Sequence, residues 1–410
     1  MEKIRLLHFA DLHIGMENYG RLDPRSGVSG RVLDFLQRFD QLIAYGRERD
    51  VDLVIFSGDA FKTRDPNPTY QRAFARRVKQ LADAGVPVVL LVGNHDLPAM
   101  VQKASSIDIF HTLAVPNVIV GRVEEIHRIE TKRGPVQVAT VPYPVRSRLL
   151  SHSEYRGLSM ADLDRALQQV VTDNIEALKT GLDPDIPAVL AGHFSVSGAV
   201  WGSERSVMLG RDVVVPKSAL ADPIFDYVAL GHIHKHQNLT AGAVGVPPVV
   251  YAGSLERIDF GEENQPKGFC WVELARGDTT WEFVAGDARR FLTIRVDVRG
   301  NDHADPTQTV LDAIDRHEVS DAVVRLIVQT TPDTEARLRD REIEKRLEPA
   351  NYVAAFVKET ERPERVRLGG GAPESLTPAE LLERYLESRN TPPARARKLL
   401  QYAENIFQDQ

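Results

Sequence analysis

Residues 51–59 of this 410-residue chain have the sequence VDLVIFSGD, and the expected fold follows from that pattern. Residues 51–56 are mostly β-branched or bulky apolar types, a composition typical of a strand buried on both faces of a parallel sheet. Gly58 then permits a sharp backbone turn that ends the strand. Asp59 follows at the carboxyl end of the strand, which is where open α/β sheets bind their ligands.

Four other segments repeat this order of an apolar strand, a glycine or alanine, and then a carboxylate, amide or imidazole. They are HFADLHIG (8–15), VVLLVGNHD (88–96), AVLAGHF (188–194) and YVALGHIH (227–234). Because the carboxyl ends of parallel strands lie at the same edge of a sheet, we expect these five ends to converge. The shared edge would carry Asp11, His13, Asp59, Asn94, His95, Asp96, His193, His232 and His234.

Composition restricts the classes of function and the compartment. The net charge of −7 argues against a generally basic nucleic-acid binder, so a phosphate-binding surface must be local or supplied by metal ions. A DNA substrate is neither proved nor excluded by this charge. The single cysteine, Cys270, lies in the apolar run GFCWVEL and is predicted to be a core residue in a reducing compartment. The longest apolar run, residues 86–92, is too short to span a bilayer, and we expect a cytoplasmic protein without a membrane segment.

The order of predicted elements divides the chain into four parts. Residues 1–286 alternate strands, helices and further strands, which predicts an α/β fold, a two-layer β-sandwich flanked by helices. Residues 287–368 restart with a βαβαβ pattern and predict a small α/β capping domain. Residues 369–378, GGGAPESLTP, have the composition of a flexible linker. Residues 379–410 predict a helical hairpin whose apolar stripe docks either on the parent domain or on a partner.

The chemistry of the predicted edge favours divalent metal ions. A mixed set of imidazole, carboxylate and amide donors suits Mn²⁺, Fe²⁺ or Zn²⁺, and the absence of thiolates argues against a structural zinc site. Asp59 is best placed to bridge two ions, which together would clamp a phosphoryl oxygen and activate a water molecule. A lone aspartate or histidine is more often a turn or core residue, but these motifs in this order, each after a buried strand, are hard to obtain by chance.

The segments DLH (11–13), SGD (57–59), GNHD (93–96), GHF (192–194) and GHIH (231–234) resemble the calcineurin-like metallophosphoesterases. Within that family the likeness is to nuclease subunits that work with a coiled-coil ABC-type ATPase, and it includes GAVWGSER (198–205) and YAGSLERIDFGEENQPKGF (251–269). The resemblance implies two Mn²⁺ ions, with Mg²⁺, Fe²⁺ or Zn²⁺ as substitutes. One ion would be held by Asp11, His13, Asp59 and His234, and the other by Asp59, Asn94, His193 and His232.

The resemblance also implies that His95 is catalytic and protonates or stabilises the leaving oxygen. Asp96 is a candidate to assist it as an orienting carboxylate, with an ordinary turn residue as the alternative. Many relatives have a histidine a few residues after the SGD aspartate, whereas this chain has Lys62, which cannot exchange a proton near pH 7. Lys62, Arg64 and Arg205 are the predicted substrate-binding residues.

The function implied is a Mn²⁺-dependent DNA phosphodiesterase that acts in double-strand break repair. It would be a 3′ to 5′ exonuclease on duplex ends and an endonuclease on hairpins and single strands. The hairpin 379–410 would grip the ATPase, and a homodimer is expected because relatives form one. Two alternatives differ in kind: a phosphatase or cyclic-nucleotide phosphodiesterase on the same scaffold, and a non-catalytic scaffold that recruits the ATPase.

Overall fold

The computed structural model describes residues 2–98, 103–150, 155, 157–203, 212–300, 304–361, 377–389 and 391–407. The strands are β1 (Ile4–Phe9), β2 (Leu53–Phe56), β3 (Val88–Leu91), β4 (Val118–Gly121), β5 (Glu125–Thr131), β6 (Gly134–Val141), β7 (Ala188–His193), β8 (Ser195–Val196), β9 (Val214–Val215), β10 (Tyr227–Gly231), β11 (Gln237–Asn238), β12 (Val249–Tyr251), β13 (Gly268–Leu274), β14 (Thr280–Ala285), β15 (Phe291–Asp297), β16 (Val323–Thr330) and β17 (Tyr352–Thr360). The helices are α1 (Gly30–Glu48), α2 (Pro68–Asp83), α3 (Asp108–Thr112), α4 (Arg146–Leu150), α5 (Met160–Gly181), α6 (Lys217–Leu220), α7 (Pro306–Asp315), α8 (Pro332–Glu335), α9 (Asp340–Leu347), α10 (Pro378–Ser388) and α11 (Pro393–Phe407).

Two six-stranded sheets form the sandwich. The first has the order β14-β13-β1-β2-β3-β4, and the second has the order β11-β12-β10-β7-β6-β5. Strands β1 to β4 are parallel to one another, as are β6, β7, β10 and β12. The predicted two-layer α/β sandwich is therefore confirmed. Strand β4 pairs with β3 in the first sheet, whereas β5 and β6 belong to the second sheet.

Strand β2 shows why the sequence specifies this architecture. Leu53 and Ile55 face the core between the sheets, while Val54 and Phe56 face the core under the outer helices. All four side chains are fully buried, as expected for a strand covered on both faces. Cys270 is also buried between the sheets, which confirms it as a core residue.

The described part of the chain divides into two compact units. The first comprises Met1–Ile294, His317–Arg325 and Leu347–Ala355, and it contains both large sheets. The second comprises Arg295–Arg316, Leu326–Arg346 and Phe356–Gln410. Between β16 and β17 the chain forms two helices, α8 and α9.

The predicted hairpin forms as two helices, α10 and α11, that pack against each other. Thr377 and Glu380 make a reciprocal capping box, which satisfies backbone N–H groups at the start of α10. Most of the predicted linker lies outside the described residues. Among the helices of the described residues, none combines the length and apolar character needed to cross a membrane.

Candidate metal centre

Five strand ends deliver the candidate site residues to one edge of the sandwich. In the first sheet β1 and β2 run in parallel register with Phe9 opposite Phe56, and β3 lies beside β2. In the second sheet β7 and β10 run in parallel register with His193 opposite Gly231. The predicted convergence is thus what the strand pairing produces, although it draws on two sheets rather than one.

Four of these residues have a left-handed backbone conformation that side chains seldom adopt. The φ angles are 52° at Asp11, 43° at His13, 64° at Asp59 and 93° at His232. Aspartate and histidine tolerate this region better than most residues, yet each instance costs free energy on the order of 1–3 kcal/mol. Conformations of this kind cluster at functional sites because the surrounding structure holds them in place.

Two glycines allow the strand-end loops to approach each other. A Cβ atom at Gly58, where φ is +97°, would collide with the His193 ring and the Gly93 backbone. A Cβ atom at Gly93 would collide with the Asp59 carboxylate. Because neither position has a side chain, the loops that carry Asp59 and Asn94 can lie close together.

The first group of donors consists of Asp11, His13 and His234, whose ligand atoms lie within 4.8 Å of one another. All three side chains are buried. The Nε2 atoms of His13 and His234 are 3.0 Å apart. Two imidazole nitrogens facing each other in this way offer converging lone pairs, which suits a shared cation.

The second group consists of Asn94, His193 and His232. The Asn94 Oδ1 atom is 3.0 Å from His193 Nε2 and 2.9 Å from His232 Nδ1. An amide oxygen and two imidazoles are a mixed oxygen and nitrogen set of the kind that borderline divalent ions accept. The two groups contain every residue that was predicted to bind metal, apart from Asp59.

Asp59 lies between the two groups. Its Oδ2 atom is 3.7 Å from His13 Nε2 and 3.4 Å from His193 Nε2. Its Oδ1 atom accepts a hydrogen bond of 2.8 Å from the backbone N–H of His95. One carboxylate oxygen thus faces both donor groups, which is the arrangement that a bridging ligand needs.

The ring orientation of three histidines is fixed from behind. His193 Nδ1 donates to the Ser57 carbonyl at 2.6 Å, His234 Nδ1 contacts Glu262 Oε1 at 2.9 Å, and His232 Nε2 contacts Asp212 Oδ2 at 2.8 Å. In each ring the nitrogen that faces away from the donor groups has an acceptor, so the nitrogen that faces inward is the one that can offer a lone pair to a cation. Metal-binding histidines are held in this way. The residues present therefore fit two divalent cations.

Three residues of this outer layer were missed by sequence reasoning: Glu262, Lys267 and Asp212. Lys267 is buried with its Nζ atom 3.0 Å from Glu262 Oε2, and it also donates to the His234 carbonyl. Asp212 accepts from the Ser195 and Tyr143 hydroxyl groups in addition to His232. A single charged residue outside the repeated strand-end pattern carries no local signal in the sequence. The useful indication was that Glu262 and Lys267 both lie in the segment 251–269, which carried part of the family resemblance.

The local electrostatic environment shifts the pKa values of the candidate ligands in different directions. Burial lowers the pKa of His13 well below its ordinary value, so this ring is neutral and can act as a ligand. Burial alone would raise the pKa of Asp59, but His193 and His95 outweigh it and lower that pKa. Burial opposes the charged form of His193, yet Asp59 and Asp11 raise its pKa to about 9. A cation bound there would displace the His193 proton.

His95 lies beside the first group. Its Nδ1 atom donates to the Lys62 carbonyl at 2.7 Å, and its ring packs edge-on against His13 with centroids 4.8 Å apart. Because a carbonyl oxygen can only accept, Nε2 is the nitrogen left to exchange a proton. His95 also lies within 4.8 Å of ligand atoms of His13 and Asp59. Its assignment as acid or as ligand therefore depends on whether the ions remain when the ring is removed.

Asp96 is the candidate for orienting His95, with an ordinary turn residue as the alternative, and its described contacts are with backbone N–H groups and one hydroxyl group. It is fully buried, and its two oxygens accept from the backbone N–H groups of Asp59, Ala60 and Gly93 at 2.9 to 3.0 Å. The Ser106 hydroxyl is a fourth donor at 3.3 Å. Asp96 is therefore a positioning residue that ties the loop after β2 to the loop after β3.

The predicted substrate-binding residues are placed unequally. Lys62 is half-buried and contacts His95 through its backbone carbonyl, while Arg64 is exposed in the same loop. Arg205 lies outside the described residues. Trp201 is half-buried, with its ring edge-on to His232 at a centroid distance of 5.7 Å.

Comparisons with known proteins agree with this geometry. A family model described as calcineurin-like phosphoesterase matches residues 4–236. The chain is 28% identical over 291 residues to the SbcD subunit of the nuclease SbcCD of Bacillus subtilis (strain 168), covering 68% of this chain and 69% of that protein. It is 28% identical over 283 residues to the SbcD subunit of the nuclease SbcCD of Escherichia coli (strain K12), covering 67% of this chain and 66% of that protein. The match thus spans about two thirds of these curated relatives.

Among solved structures, a dimetal phosphatase from Danio rerio is similar at 10% identity. The match covers 69% of this chain and 99% of that chain, with a TM-score of 0.38. The assignment to a family therefore depends on the family model and the five motifs.

Replacing Asp59 with asparagine should abolish binding of both ions. The amide oxygen can still accept from the His95 N–H group, but the anionic oxygen between the two donor groups is lost. Calorimetric titration with Mn²⁺ should show two ions for the wild type and neither for Asp59→Asn at the same concentrations. Asp65→Asn, an exposed aspartate in the following loop, is the matched control. Retention of two ions with unchanged affinity would contradict the bridging role.

The outer carboxylates should act on different ions. Glu262→Gln should weaken the ion held by the first group, and Asp212→Asn the ion held by the second, each by roughly 10- to 100-fold. Each variant is the control for the other, because each carboxylate contacts a histidine of one group only among the bonds described. The measurement is the same Mn²⁺ titration resolved into two binding steps. Equal weakening of both steps by either variant would refute separate positioning.

Proposed function

The chain belongs to the calcineurin-like phosphoesterase family, and we propose that it is a two-metal DNA nuclease that uses Mn²⁺. The observation that carries this proposal is the position of the Asp59 Oδ2 atom between two converging donor groups. The names of the relatives, which describe one component of the nuclease SbcCD, support a nucleic acid as the substrate, and DNA is the nucleic acid that we propose. The proposed products are those of 3′ to 5′ exonuclease cleavage at duplex ends and endonuclease cleavage in hairpins and single strands.

The first ion would be held by Asp11, His13, Asp59 and His234, and the second by Asp59, Asn94, His193 and His232. Bound there, two divalent cations would supply positive charge to the phosphoryl oxygens and bring the pKa of a water molecule towards neutrality. Asp59 holds the two sites together, and the acceptors behind the rings keep the histidine lone pairs directed inward.

His95 is proposed to donate a proton from Nε2 to the leaving oxygen of the cleaved strand. Its Nδ1 bond to the Lys62 carbonyl fixes the ring, and its backbone N–H bond to Asp59 fixes the distance from the bridging carboxylate. A positioned acid of this type contributes about 10²- to 10⁴-fold to the rate. Lys62 and Arg64 are proposed to contact phosphates of the strand, and Arg205 stays a prediction.

The hairpin of α10 and α11 is proposed to bind a coiled-coil ABC-type ATPase of the SbcC kind. Tyr385, Leu399 and Tyr402 are apolar or aromatic side chains that the hairpin leaves 48%, 40% and 63% exposed. An exposed apolar stripe on paired helices is the surface that a partner helix can cover. The names of the relatives refer to a complex in which SbcD is one component, which supports such a partner.

The substrate proposal can be tested directly by offering labelled linear and hairpin DNA beside a cyclic nucleotide and p-nitrophenyl phosphate, each with Mn²⁺ or Mg²⁺. We expect DNA to be cleaved with the highest kcat/KM and Mn²⁺ to be the better ion. A higher kcat/KM for the cyclic nucleotide or the phosphomonoester would replace the nuclease proposal with the phosphatase or phosphodiesterase alternative.

On the preferred substrate, His95→Ala should reduce kcat by about 10²- to 10⁴-fold while both ions remain bound. Metal content from calorimetry and cleavage rate are measured on the same preparation. His317→Ala, an exposed histidine outside the site, is the control and should leave both unchanged. Loss of one ion in His95→Ala would reassign the ring as a ligand rather than the acid.

Deleting residues 370–410 should separate catalysis from its partner. Mn²⁺-driven cleavage of DNA by the truncated chain should match the full chain, because every candidate ligand lies before residue 235. Stimulation of cleavage by the ATPase and ATP should be lost. The matched variant Tyr385→Ser and Leu399→Ser keeps the chain length and should show the same loss. Full ATP stimulation of the truncated chain would eliminate the hairpin as the docking surface.

A further inference from the structure

A cavity of about 340 Å³ lies beside the candidate metal centre. It is formed where the chain leaves β6, with helix α5 as one wall. The lining is mainly apolar and aromatic, with two polar side chains, and includes Tyr143, Leu149, Tyr155, Leu167, Glu124 and Asn174. Its volume is within the range of small-ligand sites.

Tyr143 connects this cavity to the candidate metal centre. Its hydroxyl group donates to Asp212 Oδ1 at 3.2 Å, and its ring centroid is 5.6 Å from that of His232. Its backbone N–H donates to the Val92 carbonyl at 3.1 Å, at the end of β3. Tyr143 is therefore held through both its hydroxyl group and its backbone, and its ring lies between the cavity and His232, a candidate metal ligand.

The chemistry of the lining points to a flat heterocycle with hydrogen-bonding edges. Tyrosine rings stack on nucleobases of any sequence, and the apolar side chains of Leu149 and Leu167 line the same cavity. Asn174 offers both a donor and an acceptor, and Glu124 accepts from exocyclic amino groups. Both polar side chains are half-buried, so their edges can meet a ligand without full desolvation.

We propose that this cavity receives one unstacked nucleobase of the strand being cleaved, next to the scissile phosphate. The inference rests on the proposed nuclease function and narrows its substrate to strands with an unpaired base at that position. A base within a duplex cannot enter, because its faces are stacked and its edge is paired. Enzymes that place a base in a pocket meet the smallest unstacking cost on single-stranded or frayed substrates.

The test is a scan with single-stranded oligonucleotides in which one base at a time is replaced by an abasic tetrahydrofuran residue. With the full chain and Mn²⁺, one position beside the cleaved phosphate should lower kcat/KM by roughly 10- to 100-fold. The other positions should have little effect. This arm uses the wild-type protein, so it does not depend on any variant folding.

A second arm fills the cavity with Val170→Trp, because Val170 lines it from the partly buried side of α5. We expect kcat/KM on the intact oligonucleotide to fall about tenfold and the abasic effect to disappear. Hydrolysis of bis(p-nitrophenyl) phosphate, a phosphodiester without a nucleobase, should fall by a smaller factor than cleavage of the oligonucleotide. Ala177→Trp, an exposed position on the same helix, is the control and should behave as the wild type.

Different results would contradict the nucleobase site and the nuclease function. If the wild type cleaves DNA but the abasic scan is flat, or if Val170→Trp keeps the abasic effect, the nucleobase site is wrong and the nuclease stands. If the wild type hydrolyses bis(p-nitrophenyl) phosphate and no DNA, the proposed function itself is wrong.

Discussion

The Asp96 carboxylate is the constraint on which the geometry of the centre depends. It accepts three backbone N–H groups, from Asp59, Ala60 and Gly93, and so joins the loops after β2 and β3. Burial and the nearby Asp59 raise the pKa of Asp96 to about 6, while the N–H groups favour its charged form. Without this acceptor, each of the buried N–H donors would be unpaired, at a cost on the order of 1–3 kcal/mol in folding free energy. The spacing of Asp59 and Asn94 is thus set by backbone hydrogen bonds rather than by the ligands themselves.

A similar set of bonds joins the two sheets at the centre. The Asp11 carboxylate accepts from the backbone N–H of His232, and the Ser57 hydroxyl donates to the Ala229 carbonyl at 3.1 Å. His193 donates across the same boundary to the Ser57 carbonyl. Each donor group therefore takes residues from both sheets, and ion binding is coupled to the packing of one sheet on the other. Variants that loosen the core between the sheets should weaken both ions together.

The strand ends could be predicted because the residues that define them are adjacent in the sequence. A doubly buried strand such as β2 has an apolar run that ends in glycine, and the next side chain must lie at the sheet edge. The direction of the Asp96 side chain depends on how the loop after β3 closes, so the sequence alone left open whether Asp96 orients His95 or is an ordinary turn residue. Asp212 and Glu262 meet their histidines only after the chain has folded. Their distance along the sequence, 20 and 28 residues, leaves no short motif.

The outer layer also explains how the centre can remain cationic while its rings are held by acids. With two dications, Asp11 and Asp59 as the anionic ligands would leave roughly two positive charges to attract a phosphodiester. A further uncompensated carboxylate would reduce that surplus. Glu262 is paired with the buried Lys267 at 3.0 Å, so it orients His234 without adding net charge. Burial opposes the charge of Asp212, but its bonds to His232 and Ser195 keep its pKa low. Hydrogen bonds therefore orient the histidine rings. Because Lys267 neutralises Glu262, the centre keeps its electrostatic attraction for phosphate there.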